Sequence, residues 1–359
     1  MSEHCKDCNC ETECGSTPLM DISEPAIKIR HTNYSKEIPH LDFRYDENYY
    51  PNDCDLPDPQ ENPVIPGSRE KIQKVGIGPV ELPIILKRRD GTLQEVYARA
   101  SLYGSVDNPH SKGLNMSRFY MLMHEAIDEH VSVDALKSIL MQMKEKQNCV
   151  SVSCKLKFNY RMLQDALRTR KELPDDAPDS EVFKVVKGKK LSYDKAQGHI
   201  FYDCELEGQL RGNEYRFYLT VKYRYSSTCP CSFTLAQDAM TKRGKAANGH
   251  SQRSTATIKV QFTPDDPVWI EDIVELARRQ IPTEVVVVCK RRDEQAFAEL
   301  NGSNLLFTED ASRLLYEGLD SLYESKKIQD FSIVTEHEES LHPFNAIAVM
   351  YKGVEGGLR

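Results

Sequence analysis

Two alternating runs constrain this chain more than any other feature. Tyr215, Phe217, Leu219, Val221, Tyr223 and Tyr225 recur at every second position and lead straight into Cys229-Pro-Cys-Ser232. Ala256, Ile258, Val260 and Phe262 do the same on leaving His250-Ser-Gln-Arg253. A period of two with mostly polar residues between is the mark of a half-buried strand. If the two strands pair antiparallel, their ends bring the cysteines and the histidine to one mouth. The segment between Cys229 and His250 is too long for an ordinary hairpin, and long loops in compact domains are functional or disordered. Thiolate and imidazole together suit zinc or a similar transition metal. Cys229 and Cys231 read as metal ligands, as nucleophiles, or as a pair of small buried residues. A histidine alone is more often a surface or satisfied core residue, and His250 is singled out by its place across the loop from the cysteines.

The 359 residues carry a formal charge of −8, so there is no global electrostatic case for nucleic acid or an anionic membrane. An anionic substrate would need a local basic pocket. The longest apolar runs, 285–289 and 346–351, fall far short of a bilayer span. The N-terminus is polar and acidic without a signal-peptide core, which points to the cytosol. Eleven cysteines, an odd number in a chain of this size, favour free thiols with some metal ligands over a disulfide framework.

The chain divides into an irregular extension (1–74), a first module (75–198) and a second module (199–359). The extension crowds Cys5, Cys8, Cys10 and Cys14 at one end and Pro51, Pro57, Pro59, Pro63 and Pro66 at the other. Its cysteines form either a metal site or a flexible tail with reactive thiols, since no second paired half follows at zinc-finger spacing. The first module reads as strands 80–86 and 96–102 around Asp90-Gly91, then a helix over 117–128. A second helix with Leu136, Ile139, Leu140 and Met143 on one face follows, then a strand over 150–158. Residues 171–198, charged and carrying Pro174 and Pro178, read as an insertion or connector. The second module offers strands at 200–207, 214–226 and 255–262, a helix over 269–279 and a short Val-rich strand at 285–289. A helix over 309–323 with Thr308 as N-cap and strands at 329–335 and 344–351 close the chain. Paired antiparallel strands with helices segregated to one face make this an α+β chain. Wide, uncovered sheet edges often close by oligomerisation.

Two further constellations carry chemistry. Glu339-Ser-Leu-His342 precedes Pro343, so it reads as a strand end or turn. Glu339 and His342 there would complete a metal shell, serve as an acid and a base, or simply belong to a solvated acidic loop. Lys290, Arg291 and Arg292 form a basic cluster in an acidic protein, suited to phosphate or to solvent. No Walker glycine loop and no G-x-G-x-x-G fingerprint is present.

The ordered set Asn115-Met-Ser-Arg-Phe119, Cys229-Pro-Cys-Ser232, His250-Ser-Gln-Arg253, Arg292-Asp-Glu-Gln-Ala-Phe297, Phe307-Thr-Glu-Asp310 and Glu339-Ser-Leu-His342 resembles the prokaryotic type B GTP cyclohydrolase I family. The resemblance runs from about residue 75 to the C-terminus. It implies the tunnelling fold, with two antiparallel-sheet-plus-helix-pair modules per chain, and a homotetramer. It implies hydrolysis of GTP to 7,8-dihydroneopterin triphosphate and formate by metal-activated water attack at guanine C8. Carried over by motif, Cys229, His250, Glu294, Glu339 and His342 would hold a divalent zinc, manganese or ferrous ion. Cys229, Cys231 and His342 would be catalytic, and Glu309 would anchor the guanine edge. Arg118, Arg253, Lys290 and Arg292 would meet the triphosphate. Departures from the family pattern are the longer Cys229–His250 loop, Ser251 where Asn is common, the N-terminal extension and the 171–198 segment.

Three other readings compete with this one. One is a tunnelling-fold purine-nucleotide-binding protein without turnover. A second is a nitrile-reductase-like enzyme with a cysteine nucleophile, whose Glu-Ser-Leu-Lys-Ser run is absent here. A third is a structural metal protein built on the N-terminal cysteines.

Overall fold

The computed structural model describes residues 45–52, 55–56, 67–126, 130–355 and 357–358. Cys5, Cys8, Cys10 and Cys14 lie outside the described residues. The chain falls into two units, residues 1–70 with 109–112, and residues 71–108 with 113–359. In the first, Asp46 makes a local turn, its carboxylate accepting from Asn48 N at 3.0 Å. Everything below concerns the second.

Ten strands form one sheet: β1 Ile72–Lys87, β2 Leu93–Val106, β3 His130–Val131, β4 Ser151–Glu172, β5 Val182–Val186, β6 Lys189–Arg211, β7 Glu214–Thr228, β8 Ser251–Phe262, β9 Asp330–His337 and β10 Ala346–Tyr351. Their order is β10-β9-β8-β7-β6-β4-β2-β1-β3, with β5 paired to β6 off that path. Every pairing is antiparallel except β1 with β3. Six α-helices are described: α1 Met116–Ala126, α2 Val133–Gln147, α3 Pro230–Arg243, α4 Ile270–Gln280, α5 Arg291–Ser303 and α6 Thr308–Glu324. None is long and apolar enough to cross a membrane.

The alternation in the sequence becomes the two faces of this sheet. Phe217, Leu219, Val221, Tyr223 and Tyr225 of β7, Ala256, Ile258, Val260 and Phe262 of β8, and Phe331 and Ile333 of β9 are all buried. They join one core with the apolar stripes of α1 (Phe119, Leu122, Met123), α2 (Leu136, Ile139, Leu140, Met143), α4 (Ile273, Val274, Ala277) and α6 (Ala311, Leu315, Leu319). The 3-and-4 spacing of those helical residues presents one apolar side to the sheet. Helices α4 and α6 approach closely at Gly318, where an added Cβ would stand 3.0 Å from Leu276 Cδ2. Helices α1 and α2 pack on the first half of the sheet and α4 and α6 on the second, and the halves meet at the β6–β7 hairpin in one α+β unit.

Four local expectations are corrected. The Cys229–His250 segment contains α3, started by Pro230 in the first turn and ended by Gly244 in the left-handed region (φ 59°). Only Ala236 and Ala239 of that helix are buried, so no apolar stripe announces it. Residues 171–198 are not a connector. They contain the paired ends of β4 and β6 with β5 alongside, and apart from the buried Ala177 and Leu191 their side chains are half-buried or exposed, which their charged sequence reflects. Residues 285–289 form no strand. Gln164 holds this stretch instead, donating to Val285 O at 2.8 Å and accepting from Val287 N at 3.0 Å, and the Lys290–Glu294 run opens α5. The N-cap of α6 is Phe307, not Thr308.

On the sheet face turned away from the helices, Glu207 is buried between Lys259 at 3.2 Å and Lys155 at 3.5 Å and accepts from Gln209 at 2.8 Å. Burial opposes its ionisation, but the Gln209 hydrogen bond and the two ammonium groups outweigh it and hold the carboxyl below the usual glutamate range. A depressed folded pKa means that the unfolded chain binds the proton more readily. The stabilisation is therefore complete above the unfolded value and is lost as pH falls through the folded one. Glu207→Gln should cost about 1–3 kcal/mol in denaturant melts at neutral pH. The gap between wild type and variant should shrink below about pH 4, near the ordinary glutamate pKa.

Candidate active site

Strands β7, β8 and β9 end together. Thr228 pairs with Ser251, Ser254 pairs with His337, and Glu338 N donates to Arg253 O at 3.1 Å, which carries the register past the end of β9. Cys229 therefore sits opposite His250, and its backbone N–H donates to His250 O at 3.2 Å. The predicted mouth is formed. His250 Nδ1 lies 2.9 Å from Gln252 Oε1 and 3.8 Å from Glu339 Oε2, and the His250 and Glu339 side chains are 17% and 14% exposed. Ser232, in the first turn of α3, accepts from His250 N at 3.1 Å, so the helix is stitched to the histidine that it precedes.

Glu309 reaches the same end from the helix side. It is exposed in the first turn of α6, where an acid also complements the helix dipole. Thr308 anchors that turn: its hydroxyl lies 3.0 Å from Thr335 Oγ1, which donates to Thr308 O at 3.0 Å and meets Ser312 Oγ at 2.6 Å. Leu306 N donates to Thr228 O at 3.3 Å, tying the approach of α6 to the end of β7.

Helix α5 flanks this end too. Beyond Val221, β7 pairs with the segment that leads into α5: Ser226 N donates to Thr283 O at 2.8 Å and Val285 N to Arg224 O at 3.2 Å. Asp293, fully buried, accepts from Arg168 N at 2.7 Å, Thr169 N and Lys290 N at 2.9 Å, and from the Thr169 hydroxyl. Burial opposes its ionisation, and those hydrogen bonds overcome it and pull its pKa to about 2. They fix the start of α5 against the end of β4. Lys290, Arg292 and Glu294 thus come to the right end of the sheet, with Glu294 exposed and without a hydrogen bond or ion pair to His250 or Glu339.

Other predicted residues stand elsewhere. Cys231 is exposed in the first turn of α3. His342 is exposed in the loop after Glu339 and stacks on Phe344, ring centroids 4.8 Å apart. Arg253, one residue out of step with Gln252 and Ser254, is exposed on the opposite face of the sheet. Arg118 is furthest away. It bonds Lys146 O at 3.4 Å beside the start of β4, which is level with the start of β7. From Glu214 to Thr228 the strand runs roughly 45 Å at about 3.3 Å per residue. Among the described residues, no three His, Cys, Asp or Glu side chains stand together as a metal centre. The donor set at the mouth, a thiol, an imidazole with Nε2 unengaged and a carboxylate, nonetheless matches the borderline-soft ligand chemistry of zinc and its neighbours.

Sequence reasoning missed the polar row behind the mouth. Tyr225, Ser227, Gln252, Ser254, Thr335 and His337 are buried on the helix-facing side. His337 Nε2 lies 3.0 Å from Tyr225 Oη and its Nδ1 3.2 Å from Ser227 Oγ. Burial pushes the His337 imidazole down to about 4, against a small upward pull from Glu309. The signal that could have found the row was polar residues in the apolar register of three paired strands.

The description "Type I GTP cyclohydrolase folE2" fits a family model matched by residues 56–179 and 177–348. That span contains every motif gathered here. The chain belongs to the type I GTP cyclohydrolase FolE2 family. Among similar proteins, GTP cyclohydrolase FolE2 of Roseobacter denitrificans is 34% identical over 329 residues, covering 90% of this chain and 80% of the relative. The Dinoroseobacter shibae protein of the same name is 36% identical over 303 residues, 83% of this chain and 74% of that one. Among solved structures, the uricase of Arthrobacter globiformis aligns at 8% identity with a TM-score of 0.43, over 80% of this chain and 95% of that one. For a FolE2 family chain, the mouth at the end of β7, β8 and β9 is the candidate active site.

Proposed function

We propose that this chain is a GTP cyclohydrolase I that converts GTP and water to 7,8-dihydroneopterin triphosphate and formate. The observation that carries the reading is the meeting of Cys229, His250, Glu339 and Glu309 at one sheet end within the family-matched span. Cys229 and His250 would hold a divalent zinc, manganese or ferrous ion there, with Glu294 and Glu339 as the further donors. When bound, the metal supplies Lewis-acid activation of water near neutral pH.

The chain's own groups do the rest. The Glu309 carboxylate, an acceptor only, receives the guanine ring N–H and exocyclic amine and sets C8 toward the mouth. Its rigid seat on Thr308 and Thr335 supports that role. His342, open to solvent, carries protons during ring opening, loss of C8 as formate and closure of the rearranged ribose onto the freed nitrogen. Lys290 and Arg292 face the triphosphate from α5.

The working assembly is a homo-oligomer, read as a tetramer, in which Arg118 reaches the mouth of a neighbouring copy. Its position at the far end of the strands supports this, as does the open edge at β10, where Ile347, Val349 and Tyr351 are exposed in alternation. Three buried and three partly or fully exposed thiols among the described cysteines suit a reducing, cytosolic setting.

The test is formate release and pterin fluorescence from GTP after metal stripping and separate reloading with zinc, manganese or ferrous iron. Metal-dependent formate is the expected result. Guanine nucleotide binding without formate under any of the three metals would make the chain a binding protein instead.

A further inference from the structure

The polar row behind the mouth does more than fill space. Gln252 is 8% exposed and faces two partners at once. Its amide nitrogen donates to Ser227 Oγ at 2.8 Å, which turns its carbonyl oxygen to His250 Nδ1 at 2.9 Å. Ser227 is itself fixed by Ser254 Oγ at 2.8 Å and His337 Nδ1 at 3.2 Å, all three side chains being buried. A flipped amide would set its NH2 against the imidazole and give up the donation to Ser227.

A carbonyl oxygen only accepts hydrogen bonds, so the ring nitrogen facing it must carry the hydrogen. The Glu339 carboxylate stands 3.8 Å from the same Nδ1, beyond hydrogen-bond reach, so Gln252 is the acceptor that this nitrogen meets. Nε2 is left with its lone pair. A neutral imidazole without such a partner exchanges between two tautomers, and in one of them Nε2 is protonated and cannot ligate.

From this geometry we infer that Gln252, anchored by Ser227, is a positioning residue that holds His250 as the Nδ1–H tautomer and presents Nε2 as the ligating atom. What Nε2 then ligates rests on the cyclohydrolase reading, whereas the tautomer does not. Outer partners of this kind, which fix ring orientation and basicity, typically change metal affinity by about 10–100-fold when removed.

The experiment uses the full chain, metal-free, with 15N-labelled histidine, and His250 assigned by the signals lost in His250→Gln. Wild type should show a pyrrole-type shift at Nδ1 and a pyridine-type shift at Nε2. Gln252→Leu should show averaged shifts and bind zinc alone, measured by chelator competition, about 10–100-fold more weakly. Gln252→Glu, which keeps an acceptor at the same reach, should restore the single tautomer. An Nε2–H tautomer in the wild type overturns the inference without any variant. So does a Gln252→Leu chain that melts cooperatively and keeps both the wild-type shifts and the wild-type zinc affinity. If the tautomer results hold while wild type releases no formate from GTP, the cyclohydrolase reading falls and the role of Gln252 stands.

Discussion

Alanine at Cys229 or at His250 should lower formate release from GTP by about a thousandfold or more while leaving a folded protein, because on the proposed reading each would take a ligand from the metal that activates water. The two changes are cheap for the fold, and that makes the test clean. The Cys229 side chain makes no capping hydrogen bond to α3. Its backbone N–H to His250 O and its carbonyl to Phe233 N survive in alanine. His250→Ala keeps the backbone bond to Ser232 and leaves only the Gln252 carbonyl unmatched, at a cost of about 1 kcal/mol. Thermal melts within a few degrees of wild type should accompany the loss of activity. Wild-type turnover in Cys229→Ala would remove that cysteine from both the metal-ligand and the nucleophile roles. Cys231→Ala separates the two cysteines. Cys231 is exposed in the first turn of α3, not opposite His250, so a smaller effect is expected there.

Mixing a weakened and an inactive variant should restore activity. Arg118 and His250 stand at opposite ends of strands roughly 45 Å long at about 3.3 Å per residue, so one chain cannot bring both to one substrate. If neighbouring copies meet head to tail, each site takes His250 from one chain and Arg118 from the next. Arg118→Ala alone should weaken GTP use through the triphosphate, and His250→Ala alone should abolish turnover. In equal mixture, after dissociation and reassembly, about a quarter of sites receive both wild-type side chains, so about a quarter of wild-type activity returns. The measurement is formate release by the mixture against each variant alone, with the mass of the assembly followed by light scattering. No recovery from a mixture shown to contain mixed oligomers would place Arg118 outside the active site.

How much of this was legible in the sequence follows from which contacts are local. The strand alternation of 215–225 and 256–262 predicted the pairing that sets Cys229 against His250, because period two dictates a face and a face dictates a register. The helices at 133–147, 270–280 and 308–324 were visible for the same reason, in period 3.6. Helix α3 was not, since it buries little beyond Ala236 and Ala239 and left only its Pro230 and Gly244 punctuation to be read. The far ends of β4 and β6 were hidden too, because the inward positions of β4 there include the polar Gln164 and Thr169 and most of β6 from Ser192 to Gly198 is half-buried or exposed, so the hydrophobic period fades.

By itself the sequence determined the α+β class, the core faces, the Cys–His mouth and the motifs that mark the family. Each of these is written in residues a few positions apart. The tertiary structure alone decided which distant residues share that mouth. Asp293 bonds to Arg168 and Thr169 and so brings Lys290, Arg292 and Glu294 to the right end of the sheet. Sheet register sends Arg118 to the wrong end and turns Arg253 to the wrong face. Gln252, Ser227 and His337, unremarkable along the chain, become one buried network behind His250. Those relations depend on summing register across several strands, and a single chain pattern carries no record of that sum.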